Sequence, residues 1–167
     1  MNNKVIYRDH LLNLAIDLGE RLLPAFDTAT GIPYGTVNLR HGVPHGETMV
    51  SSLAAAGTLM IEFEVLSSLT GDPRFGNAAS EATKAIYFRR SAIGLLGKHI
   101  NITSGRWTES ISGVGSNSDS FYEYLLKSYV LFDRKEYFRM FTDAFASVKH
   151  HVQFGNWFVD VDMFNGK

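Results

Sequence analysis

An all-α fold, part of an α/α toroid carrying one small β-hairpin, is what this sequence predicts, and three observations lead there. Helical stretches come in pairs, one joined through Thr70-Gly71-Asp72-Pro73 and another through Asp133-Arg134-Lys135. A long loop precedes each pair, so short turns fall at one end and long loops at the other. Within each pair the first helix reads as apolar nearly all round and the second as amphipathic, which sorts them into inner and outer helices. The long loops then share one face, and a site is expected there.

Val5 to Leu23 reads as a helix with Leu11, Ala15, Leu18 and Leu22 on one stripe, stopped by Pro24. The loop from Gly31 to Glu47 holds Gly31, Gly35, Gly42, Gly46, Pro33 and Pro44. Connections of that length are uncommon and are often functional. The spacing predicts a second helix over Thr48–Thr70, whose only charged residues are Glu62 and Glu64. Gly71 ends it, and Asp72-Pro73 opens the third helix as a capping residue followed by proline at the first helical position. That helix, to about Ser91, places Phe75, Ala78, Ala82 and Ala85 inside and Arg74, Glu81 and Lys84 outside.

Lys98–Ile102 and Arg106–Thr108 read as short strands of a hairpin turned at Ser104-Gly105. A glycine- and serine-rich loop from Gly113 then runs through Ser118-Asp119-Ser120, residues that favour helix starts, into an aromatic-rich helix. A fifth helix over Glu136–Gln153 buries Tyr137, Phe141, Ala144 and Val148. Trp157–Met163 alternates as a strand, with Asp160 and Asp162 on its wet face.

Composition narrows the function classes. The 167 residues suit one domain with a sizeable core, and 45% hydrophobic and 13% aromatic residues are a globular balance. A net charge of −1 without a basic run argues against nucleic acid or a membrane surface as partner. The absence of cysteine rules out disulfides, thiolate metal sites and a cysteine nucleophile. Met1–Asp9 is polar and lacks an apolar signal core, and no apolar run approaches the ~20 residues of a membrane span.

Asp119 is the leading candidate for chemistry. It is either a helix-capping aspartate or a carboxylate held at the mouth of a cavity. A helix N-terminus stabilises an anion by about 0.3–1 kcal/mol, the opposite of what a proton donor at neutral pH needs. Asp119 therefore suits a base, a water-orienting group or a stabiliser of developing positive charge. Glu123 lies one turn on and Lys127 a further turn, which alone is a solvated stripe with a pair worth about 0.2–0.5 kcal/mol. Glu62, on a helix read as buried, is expected either to pair with a loop arginine such as Arg40 or to line a pocket.

Other patterns carry less. Gly113-x-Gly115 lacks a third glycine and a βαβ setting for phosphate binding. His41 and His45 sit in a proline–glycine loop, not on one helical face as metal ligands would, and His150-His151 point to different sides of a helix. Asn101-Ile102-Thr103 is a glycosylation acceptor sequence only in a secretory protein.

Several segments together resemble one family. The stretch GVGSNSDSFYEYLLKSY (113–129) is similar to the helix-start motif of the family 47 glycoside hydrolases, the class I α-1,2-mannosidases. LGERLLPAF (18–26), TGIPYGTVNLRHGV (30–43) and EFEVLSSLTGDP (62–73) resemble further segments of that family, closest to its endoplasmic-reticulum degradation-enhancing branch.

The resemblance implies an (α/α)7 barrel in the endoplasmic reticulum lumen and an inverting, calcium-dependent hydrolysis of α-1,2-linked mannose. The implied partner is the high-mannose N-glycan of glycoproteins in quality control and degradation. It assigns Asp119 to the catalytic carboxylates and Glu62, Glu123 and Asn38 to substrate-binding positions. It supplies no metal ligand here, because the family's calcium-binding threonine lies outside this chain.

The family's upstream FE.TIR segment and its downstream PETVES-type and TEAHP-type motifs are also absent. Residues 1–167 accordingly read as the middle section of a catalytic domain, incomplete at both ends, expected to be inactive alone and to expose inner-wall surface. Inverting glycosidases use two carboxyl groups ~6.5–9.5 Å apart, so one acid does not suffice. The chain departs from the branch in having no cysteine in Glu47–Ala55, and Asn117 stands where the processing enzymes place an arginine. A reading from another class stays open: a non-catalytic binder of mannose glycans or misfolded glycoproteins on the same barrel.

Overall fold

The computed structural model describes residues 3–167, with side chains from His10 onward. Met1–Asp9, read above as lacking a signal core, therefore lies outside the described side chains. The first helix, α1 (Asn3–Leu22), runs into a 3-10 turn over Leu23–Phe26 whose first positions hold Pro24, where a missing N–H costs the turn nothing. Its buried side is not the expected stripe. Leu11, Leu14 and Leu18 are exposed, while Leu12, Ile16, Gly19 and Leu22 face the core. Two leucine-rich stripes compete on this helix, and the sequence does not say which one the neighbouring helix takes.

The expected single helix over Thr48–Thr70 is three elements: β1 (Val50–Ser52), α2 (Leu53–Gly57) and α3 (Met60–Thr70). Ser52 ends the strand and caps α2, its side chain accepting from the Ala55 N–H. Val50–Ser52 is claimed by a distant partner, pairing antiparallel with β2 (His99–Asn101), and β2 pairs in turn with β3 (Trp107–Glu109). The hairpin was expected; its third strand was not. Leu53–Thr70 is long and apolar enough by composition to cross a membrane. Here it is two helices broken at Thr58-Leu59, with Leu53, Met60 and Phe63 buried in the core.

Gly71 closes α3 in the left-handed region at φ 76°, where glycine is not penalised, and α4 (Arg74–Tyr87) follows at once. The Asp72 carboxylate accepts from the Arg74 N–H at 3.0 Å, in keeping with its expected capping role. The buried stripe of α4 is Phe75, Ala79, Ala82 and Ile86. After β4 (Ile111–Ser112) come α5 (Asp119–Phe132) and α6 (Lys135–His151), the latter burying Tyr137, Met140, Ala144 and Val148.

The expected strand over Trp157–Met163 is divided. β5 (Gln153–Phe154) and β6 (Trp157–Phe158) form a hairpin, whereas β7 (Val161–Asp162) pairs with β4. Asp160 is exposed but lies outside both strands, and Asp162 is the partly exposed residue of β7 between buried Val161 and Met163. Asp160 accepts from Lys98 at 2.6 Å, and Asp162 accepts from the Ser110 hydroxyl and from the backbone N–H groups of Phe164 and Asn165. The β5–β6 tip leaves Phe154 and Trp157 in solvent.

The helices form two layers. α3 packs beside α5, and α4 is tied to α6 by the Tyr87 hydroxyl donating to Asp143 at 3.0 Å and by Lys84–Glu136 at 3.0 Å. The core runs between the layers through Phe63, Phe75, Ile86, Phe121, Leu125 and Tyr137. Phe63 holds Phe26 and Phe75 with ring centroids 5.7 Å away on either side. Each such buried side chain contributes about 1.5–3 kcal/mol.

This is an arc of an α/α barrel, with α3 and α5 inside, α4 and α6 outside, and no closure of the ring among the described residues. The inner helices are apolar but not buried all round as expected, because each keeps one open face: Val65 and Leu69 on α3, Val130 and Leu131 on α5 are exposed.

Candidate functional site

The loop before α5 is tied to the N-terminal end of α2. The Asn117 carbonyl accepts from Ala54 N–H of α2 at 2.8 Å, and the Lys98 carbonyl accepts from Leu53 N–H at 2.9 Å. The loop that delivers Asp119 is fixed at its root. A Cβ on Gly113 would overlap the carboxylate of Asp160, so a side chain there would displace Asp160 from Lys98. Ser118, fully buried, donates its hydroxyl to the carbonyls of Gly113 (3.0 Å) and Gly115 (3.2 Å), folding the loop on itself. Asn117 takes φ 72°, a left-handed conformation that asparagine tolerates better than most residues.

Asp119 emerges from this loop as the first residue of α5. It is exposed, and its carboxylate accepts one hydrogen bond, from the Ser120 N–H at 2.9 Å. Ser118 stands at the N-cap position without a side-chain capping bond, its hydroxyl being turned back to the loop, so the side-chain hydrogen bond at the helix start is the one that Asp119 accepts from Ser120. Glu123 and Lys127 continue the same exposed stripe, paired at 3.0 Å.

Glu62 lies in the first turn of α3 and is exposed, not buried as the sequence suggested. Its partner is not Arg40. Tyr124 of α5 donates its hydroxyl to Glu62 at 2.8 Å, and that bond raises the Tyr124 phenol above its ordinary range. Glu62 is thereby linked to the turn that holds Glu123, one turn from Asp119.

Asn38 is elsewhere. Its side chain accepts from the Arg40 and His41 N–H groups in its own loop, and the neighbouring Leu39 carbonyl is held by Arg21 of α1 at 2.6 Å. No hydrogen bond joins Asn38 to Asp119, Glu62 or Glu123 among the described residues. Helical spacing and the Tyr124 bond therefore link Glu62, Glu123 and Asp119 across the α3–α5 pair, a link that Asn38 does not share among the described residues.

The buried carboxylate is Glu64, which the sequence reading passed over. It is 6% exposed and receives Arg134 at 2.7 Å. A polar cavity of about 350 Å³ surrounds the pair, lined also by Ser67, Asn77, Ser80 and Lys84. A signal was available, since Glu64 falls on the helical stripe of Met60, Phe63 and Ser67 while Glu62 does not. Glu62 instead borders an apolar groove of about 310 Å³ with Leu11, Leu12, Val65 and Leu69. Neither cavity is lined by Asp119.

Among the described residues no three His, Cys, Asp or Glu side chains cluster closely enough to hold a metal ion. The threonine to which the resemblance assigns the calcium lies outside this chain.

Comparison with known proteins bears on this geometry. The profile described as Glycosyl hydrolase family 47 matches residues 4–165. The chain is 44% identical over 169 positions to Alpha-mannosidase I MNS5 of Arabidopsis thaliana, covering 99% of this chain and 29% of that protein. It is 44% identical over 156 residues to the human ER degradation-enhancing alpha-mannosidase-like protein 2, covering 93% of this chain and 27% of the relative. Among solved structures, an alpha-1,2-mannosidase from Trichoderma reesei superposes with a TM-score of 0.84 at 24% identity, over 98% of this chain and 36% of that one. That likeness establishes the fold. The chain spans less than a third of the length of these curated relatives.

Proposed function

The chain belongs to glycosyl hydrolase family 47, and on that premise we propose that residues 1–167 form a section of a catalytic domain that removes α-1,2-linked mannose from high-mannose N-glycans. The endoplasmic-reticulum lumen and glycoprotein degradation are supported by what the degradation-enhancing relatives are called. Calcium enters the proposal through the family resemblance alone, as does inversion at the anomeric carbon.

The observation that carries the reading is Asp119. An exposed aspartate opens α5 at the end of a loop folded back by Ser118, with one hydrogen bond to the next residue's N–H, on the helix that also carries exposed Glu123 and the Tyr124 bonded to Glu62. One carboxylate oxygen holds the Ser120 N–H, and the other makes no hydrogen bond among the described residues and is available to a bound sugar or water. The positive end of the helix favours its ionised form. In an inverting glycosidase such a group takes a proton from the attacking water or stabilises the oxocarbenium-like centre, while a second carboxyl group protonates the leaving oxygen. Glu62, oriented by Tyr124, and Glu123 serve as hydrogen-bond acceptors for sugar hydroxyls. Asn38 belongs to the proposal with the weaker support of a side chain already engaged in its own loop.

The test is Asp119→Asn in the full-length protein. Asparagine occupies the same volume and cannot act as a carboxylate, so folding should be unchanged while kcat falls by roughly 10²–10⁴-fold. A variant that melts normally and keeps more than about a tenth of wild-type turnover removes Asp119 from the chemistry. If the wild-type protein binds mannose glycans with no turnover, the non-catalytic binder is the correct reading.

A further inference from the structure

We propose that Asn101 is an acceptor for an N-linked oligosaccharide, displayed at the tip of the β2–β3 turn. The inference rests on the endoplasmic-reticulum reading above and adds a covalent modification of this chain to it.

Asn101-Ile102-Thr103 is the single Asn-X-Ser/Thr triplet in the sequence, and its middle residue is not proline. The structure gives each of the three residues a separate task. Ile102 is fully buried, its N–H donating to the Met49 carbonyl at 2.8 Å and its carbonyl accepting from Thr30 at 2.5 Å. It pins the turn to the body of the protein. Asn101 ends β2 one residue after the buried Ile100, on the opposite side of the strand, and is half-buried.

The two ends of the Asn101 amide are used differently. Its Oδ1 accepts from the Thr103 N–H (3.0 Å), the Ser104 N–H (2.8 Å) and the Ser104 hydroxyl (3.1 Å), which closes the turn. Its Nδ2 donates no hydrogen bond among the described residues, and it is not one of the buried polar atoms left without a partner. An amide nitrogen in that condition keeps some exposure to solvent. Glycosylation consumes the nitrogen and leaves the oxygen, so the turn keeps all of its bonds after modification.

Thr103 separates this reading from a purely structural one. The turn uses only its backbone N–H. Its exposed side chain makes one weak contact, the hydroxyl donating to the Met49 sulfur at 3.4 Å. A hydroxyl the fold does not need is the one that acceptor recognition requires.

The co-reactant is a polyprenyl-diphosphate-linked oligosaccharide. The Asn101 nitrogen forms a bond to the anomeric carbon, the anomeric C–O bond to the diphosphate breaks, and the lipid diphosphate leaves with the electron pair. The amide nitrogen gives up one proton to the transferase.

The experiment translates this chain behind a cleavable signal peptide in the presence of microsomes, and scores only protease-protected product. The expected result is one slower-migrating species that endoglycosidase collapses to the unmodified mobility. Asn101→Gln removes that species but also alters the turn. Thr103→Ala is the sharper variant, because the backbone bonds of the turn survive while the acceptor is lost, and Thr103→Ser should restore modification. Protected wild-type chain with no endoglycosidase-sensitive species overturns the proposal, as does a species that persists in Thr103→Ala. Either failure leaves the mannosidase reading standing, since that is scored by the turnover of Asp119→Asn.

Discussion

Helix α3 carries glutamates at 62 and 64, and its two faces treat them in opposite ways. Glu64 is turned inward, almost fully buried, and neutralised by Arg134 arriving from the start of α6. Glu62 is turned outward beside an open apolar groove and is touched by the neutral hydroxyl of Tyr124. A carboxylate that the fold requires has its charge matched inside the fold. One held out in solvent by a neutral donor keeps its charge available. The same division runs through α5, where Tyr122 is buried against the core and Asp119, Glu123 and Lys127 line the open side.

The strongest stability effect is expected on the closed face. Arg134→Leu strands the Glu64 carboxylate in a nearly dry site, and leaving a buried acceptor unpaired costs about 1–3 kcal/mol. Arg134 is itself 46% exposed, so water softens the loss and holds it to that range. The melting temperature should drop by roughly 2–12 °C. Equal melting of variant and wild type would mean that Glu64 is solvated after all.

Next in size is the alkaline limb of stability. Burial raises the Tyr122 phenol well above its ordinary range, and its hydroxyl has no partner among the described residues. The folded state therefore holds this proton at a pH where the unfolded chain, near pH 10, has released it. The contribution is complete below that pH and is lost as pH rises toward the folded-state value, so stability should fall from about pH 10 upward. Tyr122→Phe removes the group and should flatten that fall in denaturant melts taken at successive pH values. A slope unchanged by the substitution assigns the alkaline loss to other groups.

On the open face, changes to charge should hardly register in stability. Glu62→Gln is expected to shift it by less than about 0.5 kcal/mol. It should also return the Tyr124 phenol toward its ordinary range, because the Glu62 bond is the first cause of its elevation. Phenolate absorbance in a spectrophotometric titration reads this directly, and an unmoved Tyr124 breaks the link between α3 and α5. Smallest of all, Lys127→Gln removes an exposed pair worth about 0.2–0.5 kcal/mol. A loss several times larger would show that the stripe is not solvated.

How far the sequence could be read follows from which contacts are local. The break at Gly71-Asp72-Pro73, the amphipathic α6 and the start of α5 are set by residues within a few positions of one another, and all were legible. Val50–Ser52 was not, because its strand exists only against Ile100, nearly fifty positions away, and no helical period records that. In Trp157–Met163 the alternation holds for buried Val161 and Met163 but not for exposed Trp157 and Val159, because the segment serves two ladders and alternation cannot show where a strand changes partners. In α1 the misreading was one of choice, since both leucine stripes were visible and the core took the less obvious one.

At the site, Asp119 stood out through its capping neighbourhood and its motif. Glu62 was misjudged because a helix assumed to be buried all round left no way to tell its outward glutamate from its inward one. Counting the helical stripe from Met60 would have separated them. Asn38 carried no physical signal beyond the resemblance, and its side chain is occupied within its own loop.

The β5–β6 hairpin has a spectroscopic consequence. The chain holds two tryptophans. Trp107 donates its indole N–H to the Arg89 carbonyl at 2.7 Å against the core, whereas Trp157 is 77% exposed. Their fluorescence therefore separates by solvent access. An aqueous quencher reaches Trp157 and spares Trp107, so emission at the red edge follows whatever covers the hairpin, and the shielded component follows the sheet beneath it, in one cuvette and without a label.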